Sequence, residues 1–123
     1  MAAEKIIIVE DDKILQKALA VQLLSAGFEV LASSDGAKTL ELIDREKPAL
    51  VLLDLVLPGR SGFDILTDLK NDRDLQKIPV VILSNLGNDQ DRDRGLALGA
   101  ADYFIKSDTD LEALTAKIKG LLT

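Results

Sequence analysis

The sequence predicts an α/β domain: a doubly wound sheet of five parallel strands in the order 2-1-3-4-5, with five helices. Three observations lead there. Apolar runs alternate with amphipathic stretches from one end of the chain to the other, and parallel strands need such helical crossovers, all of one hand. The runs KIIIV, ALVLLD and VVIL are apolar almost without interruption, as strands buried on both faces are. Polar residues of complementary type stand at strand ends: Glu10, Asp11 and Asp12, Asp54 and Ser84 at the ends of those runs, and Lys106 after DYFI.

Each element has a local reason. Lys5 to Val9 is a β-branched run, suited to a strand. Asp12 is read as the cap of a helix carrying Leu15, Ala18, Leu19, Leu23 and Ala26 on one side, and Gly27 is placed to stop it. Phe28 to Ala32 is more mixed, which suits an edge strand. Asp35 opens a helix with Ala37, Leu40 and Ile43, ending before Pro48. Ala49 to Asp54 is the third strand. Beyond the turn Pro58-Gly59-Arg60-Ser61-Gly62 comes a helix with Phe63, Leu66 and Leu69. Val80 to Leu83 follows Pro79 as the fourth strand. A polar helix from about Asp89 to Leu98 is stopped by Gly99, and residues 102–105 form the fifth strand. Thr109 and Glu112 have the spacing of a capping box for a last helix with Leu111, Leu114, Ile118 and Leu121.

Composition removes several function classes. At 123 residues the chain is one domain with no linker-like segment, repeat or low-complexity tract, so the expectation is one unit over 1–123 with no output domain. There is no cysteine, which excludes disulfides and thiol chemistry and fits a reducing, cytoplasmic setting. There is no histidine, which excludes Ser-His triads and imidazole-bound zinc. A net charge of −6 argues against direct binding to nucleic acid. The start MAAEKIIIVEDD lacks a signal-peptide pattern, and no apolar stretch is long enough to cross a bilayer.

Asp54 is the most informative residue. A carboxylate in a strand read as central is costly unless something compensates it. In an open α/β sheet the ligand crevice lies beyond the carboxyl ends of the strands, where strand order reverses. With the order above, that crevice falls between strands one and three, so Asp54 joins Glu10 and Asp11, with Lys106 alongside. Crowded carboxylates need a shared proton or a cation, and an oxygen-only set with open positions suits Mg²⁺. Nucleotide binding is disfavoured: there is no G-x-G-x-x-G or G-x-x-x-x-G-K-[ST], and the first β-α turn is acidic.

These residues resemble a known family over essentially the whole chain: the receiver domain of two-component response regulators, in its single-domain, chemotaxis-regulator-like form with a flavodoxin-like fold. Glu10-Asp11 after IIIV resembles the family's acidic pair, and Asp54 in LLDLVLPGRSG its phosphoacceptor. Ser84 after VVIL matches the hydroxyl position, Lys106 after DYFI the lysine, and Tyr103 the aromatic switch residue.

The resemblance implies a switch that accepts a phosphoryl group on Asp54 from a sensor histidine kinase or histidine phosphotransfer protein. Asp54, Ser84 and Lys106 would carry the chemistry. Asp11 and Asp54 would ligate Mg²⁺ directly, Glu10 through water, and the carbonyl of Val56 would complete the set. Ser84 and Tyr103 would be the switch pair, and a downstream protein would bind the face of helix four, strand five and helix five. The chain would be a monomer or weak homodimer, and not an enzyme. Two other classes share parts of the pattern. A Mg²⁺-dependent aspartyl phosphatase would place D-x-D after the first strand, where this chain has Glu10-Asp11-Asp12-Lys13. A constitutive pseudo-receiver would not need the full set of chemical groups present here.

The chain departs from the family pattern at two places: Ser107 stands where proline usually follows the lysine, and Asn85 where a small residue usually follows the hydroxyl. A cis bond before a residue other than proline costs roughly 2.5–4 kcal/mol, so the Lys106–Ser107 peptide is expected to be trans with Lys106 still reaching the site. The resemblance implies that Val56 and Leu86, two residues beyond Asp54 and Ser84, would flank the approach of hydrolytic water. Both are apolar, so slow self-dephosphorylation is expected.

Overall fold

Ile6, Ile7 and Ile8 are wholly removed from solvent, as are Leu50, Val51 and Leu53. Consecutive buried residues on one strand require cover on both faces of the sheet. In this computed structural model, which describes residues 3–123, helices supply it. The elements are β1 (Lys5–Val9), α1 (Lys13–Ser25), β2 (Glu29–Ser33), α2 (Gly36–Glu46), β3 (Leu50–Leu53), α3 (Gly62–Asn71), β4 (Val80–Ser84), α4 (Asp89–Ala97), β5 (Asp102–Ile105) and α5 (Leu111–Leu121). One turn of 3₁₀ helix, Lys106–Asp108, joins β5 to α5. The sheet order is β2-β1-β3-β4-β5 with every pair parallel, as the sequence predicts.

The two faces hold separate cores. Ile6, Ile8, Leu50 and Leu52 pack with Leu19 and Leu23 of α1 and with Leu114 and Ile118 of α5. Ile7, Val51, Leu53 and Ile82 pack with Ile43 of α2, Ile65, Leu66 and Leu69 of α3, and Tyr103. Each fully buried Ile or Leu side chain contributes about 1.5–3 kcal/mol against exposure. Strand β2, half-exposed along its length, is an edge.

Local signals held in most places. Asp12 caps α1, its Oδ1 accepting from the N–H groups of Ile14 at 3.0 Å and Leu15 at 3.2 Å. Asp35 caps α2 through Ala37 N–H at 2.8 Å. Gly27 and Gly99 follow α1 and α4 in the left-handed region. Strand β3 spans Leu50–Leu53, one residue shorter at each end than expected, so Asp54 lies just beyond it. Three further expectations need correction. The cap of α5 is Asp110, which accepts from Glu112 N–H at 3.1 Å. Thr109 is not that cap, because the 3₁₀ turn places its hydroxyl against the Ile105 carbonyl at 2.6 Å. Strand β2 begins and ends one residue later than expected, at Glu29 and Ser33. Ala18, expected on the inner side of α1, is exposed.

Candidate functional site

The strand register sets the site. Val9 pairs with Leu53, and the Asp54 amide donates to the Val9 carbonyl at 3.0 Å. The chain therefore leaves β1 and β3 side by side, with Glu10 and Asp54 as the next residues of each. Ser84 pairs with Ile105, which sets Lys106 one residue beyond the end of β5. Glu10, Asp54 and Lys106 reach the same crevice at the carboxyl edge, where strand order reverses, and Ser84 closes β4 at that edge.

Lys106 holds the acids together. Its Nζ donates to Asp54 Oδ2 at 2.8 Å and lies 2.6 Å from Glu10 Oε1. The other Glu10 oxygen accepts from Asp12 N–H at 3.0 Å, and Asp54 Oδ1 accepts from Val56 N–H at 3.3 Å. Carboxylate oxygens of Glu10, Asp11 and Asp54 all lie within 4.8 Å of one another. Glu10 and Asp54 are buried, Asp54 to 5% exposure, while Asp11 faces solvent. Burial is the largest influence on Glu10 and pushes its carboxyl above the usual range, against the hydrogen bonds from Lys106 and the Asp12 amide. Burial also opposes the charge on Lys106, but hydrogen bonds to Asp54 and Glu10 outweigh it and raise its pKa above the ordinary lysine value.

Three carboxylates against one ammonium leave the cluster with a net negative charge. All donors are oxygens, the exposed member opens to solvent, and the set fits a hard divalent cation. The Lys106–Ser107 bond is trans and Lys106 reaches the site, so losing the usual proline changes the connection but not the chemical group. A lysine pKa raised on folding gives stability that is complete below the unfolded lysine value and lost as pH rises through the folded one. Urea midpoints should therefore fall in an alkaline step above the ordinary lysine range. Lys106→Met should show a smaller step, since Lys5, Lys47 and Tyr103 are also raised on folding and still titrate there, and an identical alkaline profile in the variant would refute the linkage.

The remaining predicted residues lie on the rim and behind it. Ser84 is fully buried, and its Oγ accepts from Leu86 N–H at 3.3 Å. The Tyr103 ring is buried, and its hydroxyl donates to the Leu86 carbonyl. Burial, followed by the charges of Asp91 and Asp54, raises the phenol pKa and keeps it a donor. Val56 is 60% exposed at the mouth, whereas Leu86 is half-buried and packs against the core. Asp12 is used by the α1 cap and stands apart from the acid cluster.

Sequence reasoning missed two supporting residues. Gln16 donates from Nε2 to the Glu10 carbonyl at 2.8 Å and to Ser34 Oγ at 3.1 Å, fixing the backbone that carries the acid pair. Its position one turn beyond Asp12 was the available signal. Gly62 allows α3 to start against the end of β3: a Cβ there would lie 2.2 Å from the Asp54 carbonyl oxygen and 2.6 Å from Leu55 Cα.

This fold and acid–lysine cluster define a receiver-type module. The family model of the response regulator receiver domain matches residues 6–119. The chain belongs to that family. It is 36% identical over 118 residues to the DNA-binding dual master transcriptional regulator RpaA of Synechocystis, covering 96% of this chain and 48% of that protein. Among solved structures it resembles the BeF3-activated N-terminal receiver domain of Klebsiella pneumoniae RstA, with TM-score 0.89 and 36% identity over 96% of this chain and 97% of that one. It also resembles the Mn²⁺-bound form of the response regulator Rcp1, with TM-score 0.82 and 29% identity over 96% and 91% of the two chains. The chain spans about half the length of the curated relatives it matches. Receiver domains are generally signalling modules rather than catalysts, and they bind a divalent metal at an acidic pocket. Among the described residues no helix is long and apolar enough to cross a membrane.

Proposed function

We propose that Asp54 is the phosphoacceptor of a Mg²⁺-dependent signalling switch charged by a histidine kinase or histidine phosphotransfer protein. The observation that carries this reading is Lys106 bridging Asp54 and Glu10 inside a cluster of three carboxylates. An Asp54 oxygen forms a bond to phosphorus as the bond from phosphorus to the partner's imidazole nitrogen breaks. The electron pair stays on that nitrogen, which takes a proton from solvent. Glu10, Asp11, Asp54 and the Val56 carbonyl would hold Mg²⁺, which when bound offsets charge on the phosphoryl oxygens. Lys106 then moves from the Asp54 carboxylate to a phosphoryl oxygen, and Ser84 donates to another. Drawing Ser84 inward shifts Leu86, and with it the carbonyl that holds Tyr103. The signal thus passes to the α4-β5-α5 face and its protein partner.

The chain takes the phosphoryl group onto itself without a catalytic cycle. Self-dephosphorylation is slow, because apolar Val56 is what stands at the mouth. It acts in the cytoplasm, by protein contact rather than by touching nucleic acid. The test is intact mass after acetyl phosphate, with and without Mg²⁺: one added phosphoryl group only with Mg²⁺ supports the reading, and no addition under either condition refutes it.

The docking side of the phosphodonor follows from α1. Ile14, Val21 and Leu24 are 84%, 57% and 55% exposed, and Lys13 and Lys17 flank the apolar stripe beside the acid pair. An acidic amphipathic surface fits there. Ile14→Asp should therefore slow transfer from the cognate phosphohistidine protein at least tenfold and leave labelling by acetyl phosphate unchanged. Equal slowing with both donors would refute the docking role.

A further inference from the structure

Helix α4 is the least anchored element of the fold. Its sequence, DQDRDRGLA, buries only Gly95. Segments with so few buried apolar contacts open at low cost, so single contacts decide where they sit. Two contacts bear on its position. At Gly95 the helix backbone lies directly on β4 and β5: a Cβ there would be 2.7 Å from Ile82 Cδ1 and 3.3 Å from Tyr103 Cδ2. At the preceding residue, Arg94 sets its guanidinium 4.0 Å from the centroid of the Phe63 ring.

Phe63 lies in the first turn of α3, next to Gly62, whose Cα rests against the Asp54 carbonyl and Leu55. A continuous line of contacts therefore runs from Asp54 through Gly62, Phe63, Arg94 and Gly95 to Tyr103, and from the Tyr103 hydroxyl to Leu86. The sequence gives no hint of it, since Arg94 stands among alternating charges that read as a solvated helix face.

We propose that Arg94 is a positioning residue that clasps α4 to α3 through Phe63 and so sets how often the Tyr103 ring lies inward. With the ring inward, Gly95 rests on it and Arg94 is held over Phe63. When the ring swings out, the seat under Gly95 is lost, α4 moves off, and the guanidinium leaves the ring face. The cation–π contact exists in one arrangement and not in the other, which is the differential interaction a two-state equilibrium requires. The clasp rests on the switch reading, because the two ring positions it biases are those of the switch.

Tyr103 is the only tyrosine and there is no tryptophan, so 3-fluorotyrosine labelling gives one ¹⁹F resonance that reports this ring alone. The experiment uses the full chain without metal or phosphodonor. Arg94→Ala should move the resonance toward its position in the urea-unfolded chain. The ratio of inward to outward ring should fall about two- to fivefold, the effect of a cation–π contact made by an exposed arginine. Arg94→Lys should fall between wild type and Arg94→Ala. Phe63→Leu should reproduce the Arg94→Ala shift, and the double variant should add nothing to it. An unmoved resonance in Arg94→Ala overturns the clasp, as do additive shifts in the double variant. If Phe63→Leu melts too low to use, the two Arg94 variants decide alone. Phosphoryl uptake by intact mass, run on the same samples, reports separately on Asp54.

Discussion

Asp54→Asn eliminates Mg²⁺-dependent uptake of a phosphoryl group while leaving the domain folded. Asparagine keeps the shape but only one acceptor oxygen, so with that oxygen on Val56 N–H the amide nitrogen faces Lys106, which keeps Glu10 as its partner. It lacks the nucleophilic carboxylate, and the amide cannot form the acyl phosphate. Stability at neutral pH should hold or rise, because one of three mutually close carboxylates is gone while Lys106 keeps Glu10 at 2.6 Å. Intact mass and a urea titration check both halves. Labelling of the variant at the wild-type rate would transfer the phosphoacceptor role to another residue.

The second large effect is on packing. In Gly62→Ala the new methyl meets backbone atoms, the Asp54 carbonyl oxygen at 2.2 Å and Leu55 Cα at 2.6 Å, and neither can turn aside as a side chain could. Overpacking of this kind costs about 1–3 kcal/mol and sometimes more. The strain falls on the backbone that aims Asp54, so phosphoryl uptake should slow as well. Gly120→Ala is the matched control. It lies in α5 with nothing within 4 Å of the new carbon, and there alanine should stabilise by up to about 1 kcal/mol through helix propensity. Equal urea midpoints for the two variants would contradict the close approach at Gly62.

The sheet was legible because its inner strands advertise themselves. Three apolar runs without polar interruption leave no exposed face, and the polar residues that end them fall at one edge whatever the details of the helices. Glu10, Asp54 and Lys106 were readable for that reason, since strand ends are set by the runs before them. What stayed hidden depends on distance in the chain or on competing local bonds. Thr109 and Asp110 are both good caps, and only the 3₁₀ turn, which sends the Thr109 hydroxyl to Ile105, decides between them. The contact of Arg94 with Phe63 joins two helices through the tertiary fold, and no local pattern encodes it. Helical periodicity in α1 shows Leu19 and Leu23 but cannot say that Ile14 and Val21 remain uncovered.

The pairing of β1 with β3 carries a kinetic consequence. Ile6 meets Leu50 across the whole of α1, β2 and α2, the longest excursion between any two neighbouring strands in the sheet. Closing so large a loop costs chain entropy before its contacts are gained, which places this pairing late in assembly. The acid cluster straddles that same seam, with Glu10 and Asp11 after β1 and Asp54 after β3. A divalent cation therefore finds its ligands gathered only once the sheet has closed, and its binding slows unfolding while leaving the rate of refolding almost untouched.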